Sequence, residues 1–334
     1  MSDNIYKVYK INNENKNPTF KFIDLFAGIG GIRIPFQNLG GECVFSSEID
    51  KFAAQTYEAN FGDKPNGDIT KIDAKDIPNF DVLLAGFPCQ AFSIAGKRKG
   101  FDDTRGTMFF EVERILEEKK PKAFLLENVK GLTNHDHGRT FKVMLDILEN
   151  KLNYRVYYKV LNAKNFGLPQ NRERIMIVGF KDKNIKFKFP DELKTPTKVG
   201  DILLNNPDSK YTISDRIWAS HQRRKEKNRE KGNGFGYSLF NENSTYTSTI
   251  SARYYKDGSE ILIQQDGKNP RKLTPREAAR LQGFPDTFKI VVSDTQAYKE
   301  FGNSVPVNMI NAVAQEMYKS LNGGNEDENW KRRI

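Results

Sequence analysis

The chain has 334 residues, enough for one large domain or two smaller ones each with a real core, and a formal net charge of +10 that favours an anionic partner. Two cysteines (Cys43 and Cys89) and three histidines are too few for a disulfide framework or a four-ligand Cys/His zinc site, so an intracellular protein without a metal is expected. No apolar run approaches the length of a membrane span and the N-terminus is polar, which makes the cytoplasm the expected address.

From residue 20 to about 189 strands alternate with helical stretches, the pattern of an α/β protein with a parallel sheet covered on both faces. Strands are expected at 22–26, 43–46, 82–85, 123–126, 155–161 and 174–180, with a helix at 141–151. After Pro190 the alternation stops. A polar, Gly- and Pro-bearing stretch follows, in which the basic run 223–227 reads as the solvated face of a helix. Helical periodicity returns at 275–283 and 305–321. His135-Asp136-His137 has no further ligand in view and reads as a solvated turn.

Asp24-Leu25-Phe26-Ala27-Gly28-Ile29-Gly30-Gly31 follows the first strand and opens a helix, so its glycines let a ligand approach the backbone. The nicotinamide fingerprint does not fit, because the glycines fall at 28, 30 and 31. Glu48, at the end of the second strand, could accept hydrogen bonds from ribose hydroxyls, and Asp68 could meet the exocyclic amine of an adenine. Either acid could equally be a surface residue or a helix cap. Together with Phe26 they suggest a nucleoside without a pyrophosphate, which favours S-adenosylmethionine over a dinucleotide.

The stretch 81–93 places Cys89 just after an apolar strand, where open α/β sheets bind ligands, with Pro88 stiffening the turn. A solitary Cys is as a rule a small buried hydrophobe. Here it stands beside Ser93-Ile94-Ala95-Gly96-Lys97-Arg98-Lys99-Gly100, whose two glycines allow hinge motion and whose cations suit a polyanion. A thiol in that setting suggests a nucleophile acting on nucleic acid.

Phe26-x-Gly28-x-Gly30, Pro88-Cys89-Gln90, Glu127-Asn128-Val129, Gln170-x-Arg172-x-Arg174 and Gly302-Asn303-Ser304-Val305-Pro306 follow one another in the order and spacing of the DNA (cytosine-5) methyltransferases. The chain resembles this family over about residues 20–320, most of all its short bacterial restriction-modification members. The resemblance implies a Rossmann-like S-adenosylmethionine-dependent methyltransferase sheet, with a catalytic and cofactor domain at 1–192, a smaller target-recognition domain at 193–290, and a segment at 291–334 that returns to the first. It implies that Phe26, Gly28, Gly30, Glu48, Asp68, Ile69, Pro88 and Asn303 hold S-adenosylmethionine, with S-adenosylhomocysteine as product. Ile49 stands where some members carry an aromatic, so its packing on adenine is weaker.

Carbon 5 of cytosine is barely nucleophilic, and addition of a thiolate to carbon 6 makes it an enamine. The resemblance gives that task to Cys89 and protonation of ring nitrogen 3 to Glu127. Arg172 and Arg174 alternate along an extended stretch and cannot both point into one pocket. By likeness Arg172 hydrogen-bonds the cytosine carbonyl and Arg174 supports the loop.

The target base must leave the duplex stack. The loop 90–103 is the expected clamp, with Gln90, Ser93, Lys97 and Arg98 on DNA, and Phe235 is either the infiltrating side chain or an aromatic packed in a Gly-rich loop. Between 196 and 271 the chain resembles the variable target-recognition region. Thr249-Ile250 stands where a Thr-Leu pair is usual, and Arg253 and Tyr254 follow on the expected DNA side. Arg253 could read a guanine edge or bind phosphate. The string 251–258 looks like those of members acting on CCGG, CCNGG or CCWGG sites. A monomer acting on double-stranded DNA is expected, with a cognate restriction endonuclease cutting the same site. The rival readings are an enzyme for cytosine in transfer RNA, a regulator that has lost catalysis, and, more distantly, an NAD-dependent oxidoreductase.

Overall fold

The computed structural model describes residues 4–13, 17–88, 108–234 and 236–323. The chain forms two compact units. The sheet unit comprises Ile11–Leu161, Glu173–Asp191 and Ile310–Ile334, and the second unit Met1–Lys10, Asn162–Arg172 and Glu192–Met309.

In the sheet unit six strands, β1 (Phe20–Leu25), β2 (Gly41–Ser47), β3 (Val82–Gly86), β4 (Ala123–Val129), β5 (Arg155–Asn162) and β6 (Glu173–Phe180), lie in the order β2-β1-β3-β4-β6-β5. β1 pairs in parallel with β2 and β3, and β3 with β4. β6 runs antiparallel to β4, with Val129 opposite Arg174. The expected parallel sheet is therefore mixed: a strand buried on both faces has the same apolar pattern in either direction, so periodicity carries no polarity. Alternate strand residues (Ile23 and Leu25, Leu83 and Ala85, Phe124 and Leu126, Ile175 and Ile177) form one core with Phe109, Val112, Ile115 and Leu116 of α3 (Met108–Lys119) and Phe141 and Met144 of α4 (Arg139–Asp146). Each such fully buried side chain contributes about 1.5–3 kcal/mol. α4 widens at its end into a π turn over Ile147–Lys151. On the opposite face Phe22 packs on Phe36 of α1 (Arg33–Asn38), and Phe20 on Tyr318 of α8 (Val307–Leu321). α2 (Lys51–Phe61) starts where Asp50 accepts from the Phe52 and Ala53 amides and ends at Gly62, whose left-handed φ of 82° suits glycine.

The second unit holds a three-stranded sheet, β7 (Leu239–Phe240), β8 (Leu262–Gln265) and β9 (Lys268–Arg271), and the helices α5 (Asp215–Glu230), α6 (Pro275–Leu281) and α7 (Asp294–Asn303). α6 opens on a full capping box between Thr274 and Glu277 with Pro275 in the first turn. Glu277 also forms a bidentate pair with Arg271, both 2.8 Å, in the interior. The division differs from the expected boundaries at 192 and 291. Residues 162–172 join the second unit because Gln170 and Arg172 are buried there, and α7 stays in it because Tyr298 packs on Tyr254 and Phe301 on Phe284.

No helix among the described residues is long and apolar enough to cross a membrane.

Candidate active site

The strand order reverses between β1 and β3: the chain leaves β1 for β2 on one side and returns to β3 on the other. The carboxyl ends of two such strands splay into a crevice where open sheets bind ligands. The turns after β1, β2 and β3 carry Phe26 to Gly30, Glu48, and Phe87-Pro88, so two of the sequence strings and Glu48 meet at the ends of neighbouring strands.

The first turn is built for close approach. Phe26, Gly28 and Gly30 all have left-handed φ values of 54°, 55° and 83°. A Cβ on Gly28 would meet nothing within 4 Å, whereas one on Gly30 would collide with the Phe61 ring. Gly30 thus packs the turn and Gly28 leaves its outer side open. Phe26 holds a conformation disfavoured for a bulky residue, strain of the kind that clusters at ligand sites. Glu48 locks the turn: its Oε2 accepts from the Gly28 amide and its Oε1 from the Asp50 amide, both at 2.7 Å. The neighbouring Ile49 side chain is 75 % exposed, an apolar surface beside a carboxylate.

Asp24, which the sequence reading passed over, is 1 % exposed, and neither carboxyl oxygen has a hydrogen-bond partner among the described residues. Burial pushes its carboxyl well above the usual range; Arg33 opposes this and Glu48 and Asp63 add to it. A buried carboxyl with both oxygens unanswered, next to an open glycine turn, fits a ligand that brings donors or a positive charge. The ammonium and sulfonium groups of S-adenosylmethionine suit this set; a dinucleotide pyrophosphate does not.

Asp68 caps the short turn Ile69–Lys71, accepting from the Thr70 amide (3.0 Å) and hydroxyl (2.7 Å), and these bonds hold its carboxyl below the usual range. The Ile69 side chain is in the core, so only its backbone is on offer to a ligand.

At the end of β4, Asn128 is 2 % exposed and donates to the Phe87 carbonyl at 2.9 Å, tying down the turn that leads to Pro88. Glu127, 7 % exposed, pairs with Arg174 through Nε at 3.0 Å, and Arg174 also donates from Nη1 to the Glu173 carbonyl. Burial pulls the Arg174 guanidinium down and Glu127 pulls it back. The site therefore presents a carboxyl group and a planar cationic donor side by side. Cys89, Gln90, Ser93, Lys97 and Arg98 lie outside the described residues. The other thiol, Cys43, sits near Tyr57 Oη at 3.8 Å and is pushed up to about 12 by burial, against a smaller opposing effect of Arg33. It is a protonated packing group, not a thiolate.

In the second unit, Arg172 is 1 % exposed and donates to three backbone carbonyls: Ile250 at 2.9 Å, Gly302 at 3.0 Å and Ser304 at 2.6 Å. Gln170 adds bonds to Leu281, Gln282 and the Ile250 amide. A Cβ on Gly302 would collide with the Ser251 backbone, which is why a glycine stands there. The expectation that alternation parts the two arginines fails, because residues two apart on a strand share a face and Arg172 lies before β6, outside it; their surroundings are the reverse of those the resemblance implied. Arg172 is spent on carbonyls inside its unit and Arg174 stands at Glu127. The exposed Asn303 ends α7 beside this clamp, and Thr249 donates to the Asn171 carbonyl at 2.6 Å.

Tyr254 corrects a further expectation. It is fully buried, its hydroxyl donating to the Ile261 carbonyl and accepting from the Leu273 amide, both at 2.7 Å, so it anchors the 251–258 turn instead of touching DNA. Arg253, next to it, is exposed on the outside of that turn. Phe235 lies outside the described residues. His135 bonds Thr140 and Asp136 bonds Arg139, and no metal-binding cluster occurs among the described residues.

A family model for C-5 cytosine-specific DNA methylase matches residues 20–319. The chain is 64 % identical over 311 residues to the Type II methyltransferase M1.ScrFI of Lactococcus lactis subsp. cremoris, covering 92 % of this chain and 80 % of that protein. It is 60 % identical to M.DsaV of Dactylococcopsis salina (93 % and 90 % covered) and 48 % identical to M.HpaII of Haemophilus parainfluenzae (92 % of each). Among solved structures, the Entamoeba histolytica methyltransferase EhMeth superposes with a TM-score of 0.76 at 21 % identity, over 91 % of this chain and 99 % of that one. That likeness shows a shared fold.

Proposed function

The chain belongs to the C-5 cytosine-specific DNA methylases and is a DNA (cytosine-5) methyltransferase of the type found in restriction-modification systems, and from that premise we propose how its residues perform the transfer. The target is a cytosine extruded from double-stranded DNA, in a site of CCGG, CCNGG or CCWGG type, and methylation protects that site from a cognate nuclease.

The observation that supports the reading best is the Glu127–Arg174 pair at the carboxyl end of the sheet, on the strand next to the turn that leads into Cys89. Cys89 adds as thiolate to carbon 6, the ring's electron pair moves toward nitrogen 3, and Glu127 donates the proton that nitrogen 3 takes up. Arg174 donates to the cytosine carbonyl and holds Glu127 in place. Asn128 fixes the backbone ahead of Cys89. S-adenosylmethionine, when bound, supplies the methyl group as an electrophilic carbon. Glu48 and Asp24 answer its ribose and ammonium donors, Phe26 and Ile49 cover its base, and Asp68, Ile69 and Pro88 complete its surroundings. The carbon 5 proton then leaves to a base and the thiolate is expelled from carbon 6, restoring the aromatic ring. Arg172 is a positioning residue that ties the 302–304 turn to the 249–251 segment.

The test is methyl transfer from tritiated S-adenosylmethionine to duplex DNA and to transfer RNA, with the product base identified. Label in 5-methylcytosine at one short sequence of duplex DNA is expected. Label confined to RNA, or on a ring nitrogen, would reject the reading.

A further inference from the structure

α5 is a 16-residue helix with six cations, a seventh, Lys231, following at its C-cap, and His221 is its one buried residue. Its docked side is held by specific contacts. Trp218 packs edge-on against Tyr237 at 4.7 Å, and the Lys225 ammonium lies 4.3 Å from the centre of the same ring. His221 Nε2 lies 3.3 Å from the Asp257 carbonyl, and its Nδ1 accepts from Arg224, which pairs with the Asp257 carboxylate at 3.0 Å. Asp257 belongs to the 251–258 turn, which is anchored in turn by buried Tyr254 and carries exposed Arg253. Helix and turn thus form one body.

At 100° per residue, Arg216, Arg223 and Lys227 fall within about 40° of one another, well away from the docked side. All three are exposed, and none forms an ion pair among the described residues. Asp215, Glu226 and Glu230 lie to one side of this stripe. Three unneutralised cations in line along about 16 Å of helix axis match the scale of a phosphate backbone, whose charges repeat about every 3.4 Å per strand. A merely solvated helix has no need to segregate its signs in this way.

We propose that the Arg216–Arg223–Lys227 stripe grips the sugar-phosphate backbone of duplex DNA beyond the base pairs the enzyme reads, a second contact held in register with the 251–258 turn by the His221–Arg224–Asp257 joint. This rests on the DNA methyltransferase reading. The experiment measures DNA affinity against salt concentration for the full chain and its Arg216→Gln/Arg223→Gln/Lys227→Gln variant, on a duplex of about 12 base pairs, little more than one helical turn, and on one of about 30.

On the long duplex the variant should lose about 2.7 from the slope of log affinity against log salt, at about 0.9 per phosphate contact. Between about 50 and 200 mM salt its affinity should then fall roughly 40-fold less than that of the parent. On the short duplex the two proteins should share one slope, and methyl transfer at saturating DNA should be equal. The charge-keeping variant Arg216→Lys/Arg223→Lys/Lys227→Arg should retain the parent's slope. An unchanged slope on the long duplex, or slower transfer on saturating short duplex, would overturn the proposal while leaving the methyltransferase reading intact. A parent chain that binds neither duplex and methylates neither would overturn both.

Discussion

The same substitution, arginine to lysine, should fail in opposite ways at positions 172 and 174. Charge is kept in both, so only the geometry of the donor group is tested. At 172 a flat guanidinium spans three carbonyls belonging to residues 250, 302 and 304. A lysine ammonium is compact and cannot bridge all three, leaving one or two buried carbonyls without a donor at about 1–3 kcal/mol each. A loss of about 2–4 kcal/mol, or roughly 3–6 °C in melting temperature, is expected for a structure of this size. At 174 a lysine can still pair with Glu127 and only the bond to the Glu173 carbonyl is lost, so stability should change by about 1 kcal/mol. The planar fork that reaches substrate and carboxylate together is gone, and the chemical step should slow by about 10²–10³-fold, the usual effect of losing one oriented donor. Calorimetric melting of the protein alone and single-turnover methyl transfer at saturating DNA and S-adenosylmethionine read the two quantities separately. Wild-type melting with 10²-fold slower transfer for Arg172→Lys, on the scale of one lost donor, together with full activity for Arg174→Lys, would refute this assignment and restore the reverse one.

Asp24→Asn should stabilise the ligand-free protein, with the sign set by linkage: the folded-state carboxyl lies above its unfolded value, so its contribution is intact below the unfolded value of 3.8 and is lost as pH rises through the raised one. Denaturant melts across that range should show a pH slope that the variant lacks, while calorimetric titration shows weaker S-adenosylmethionine binding; a variant that binds the cofactor as the parent does would remove Asp24 from the site. Cys89→Ser should abolish transfer and leave DNA binding intact, since an alkoxide is far less available than a thiolate. Duplex DNA with 5-fluorocytosine at the target should form a denaturation-resistant adduct, and mass spectrometry placing it on Cys43, whose thiol is held up at about 12, would sink the assignment. Arg253→Ala should cost about 1–3 kcal/mol on the cognate site and relax the choice at one base pair. A uniform loss across all sequences would make Arg253 a phosphate contact.

Strand periodicity, a short-range property, located all six strands of the large sheet to within a few residues, and the glycine spacing after β1 marked the turn that Glu48 closes. Motif order placed the chain in its family without any coordinates. What one-dimensional pattern could not carry is direction and partner. The reversed β6 reads the same both ways, and its reversal is what sets Arg174 beside Glu127. Asp24 sits inside an apolar strand, and only the packing around it reveals two buried oxygens without partners among the described residues. Tyr254 and Arg253 are neighbours in a polar string, yet one is a buried anchor and the other is exposed, because the turn sends successive side chains to opposite sides. Arg172 and Arg174, two apart, differ for another reason: Arg172 precedes β6 and is held by three carbonyls of its own unit, while Arg174 lies within β6 beside Glu127. Local sequence determined which elements form and which chemistry they carry; burial and hydrogen-bond partners come from residues far apart in the chain, 132 positions between Arg172 and Ser304, and only the tertiary structure brings these together.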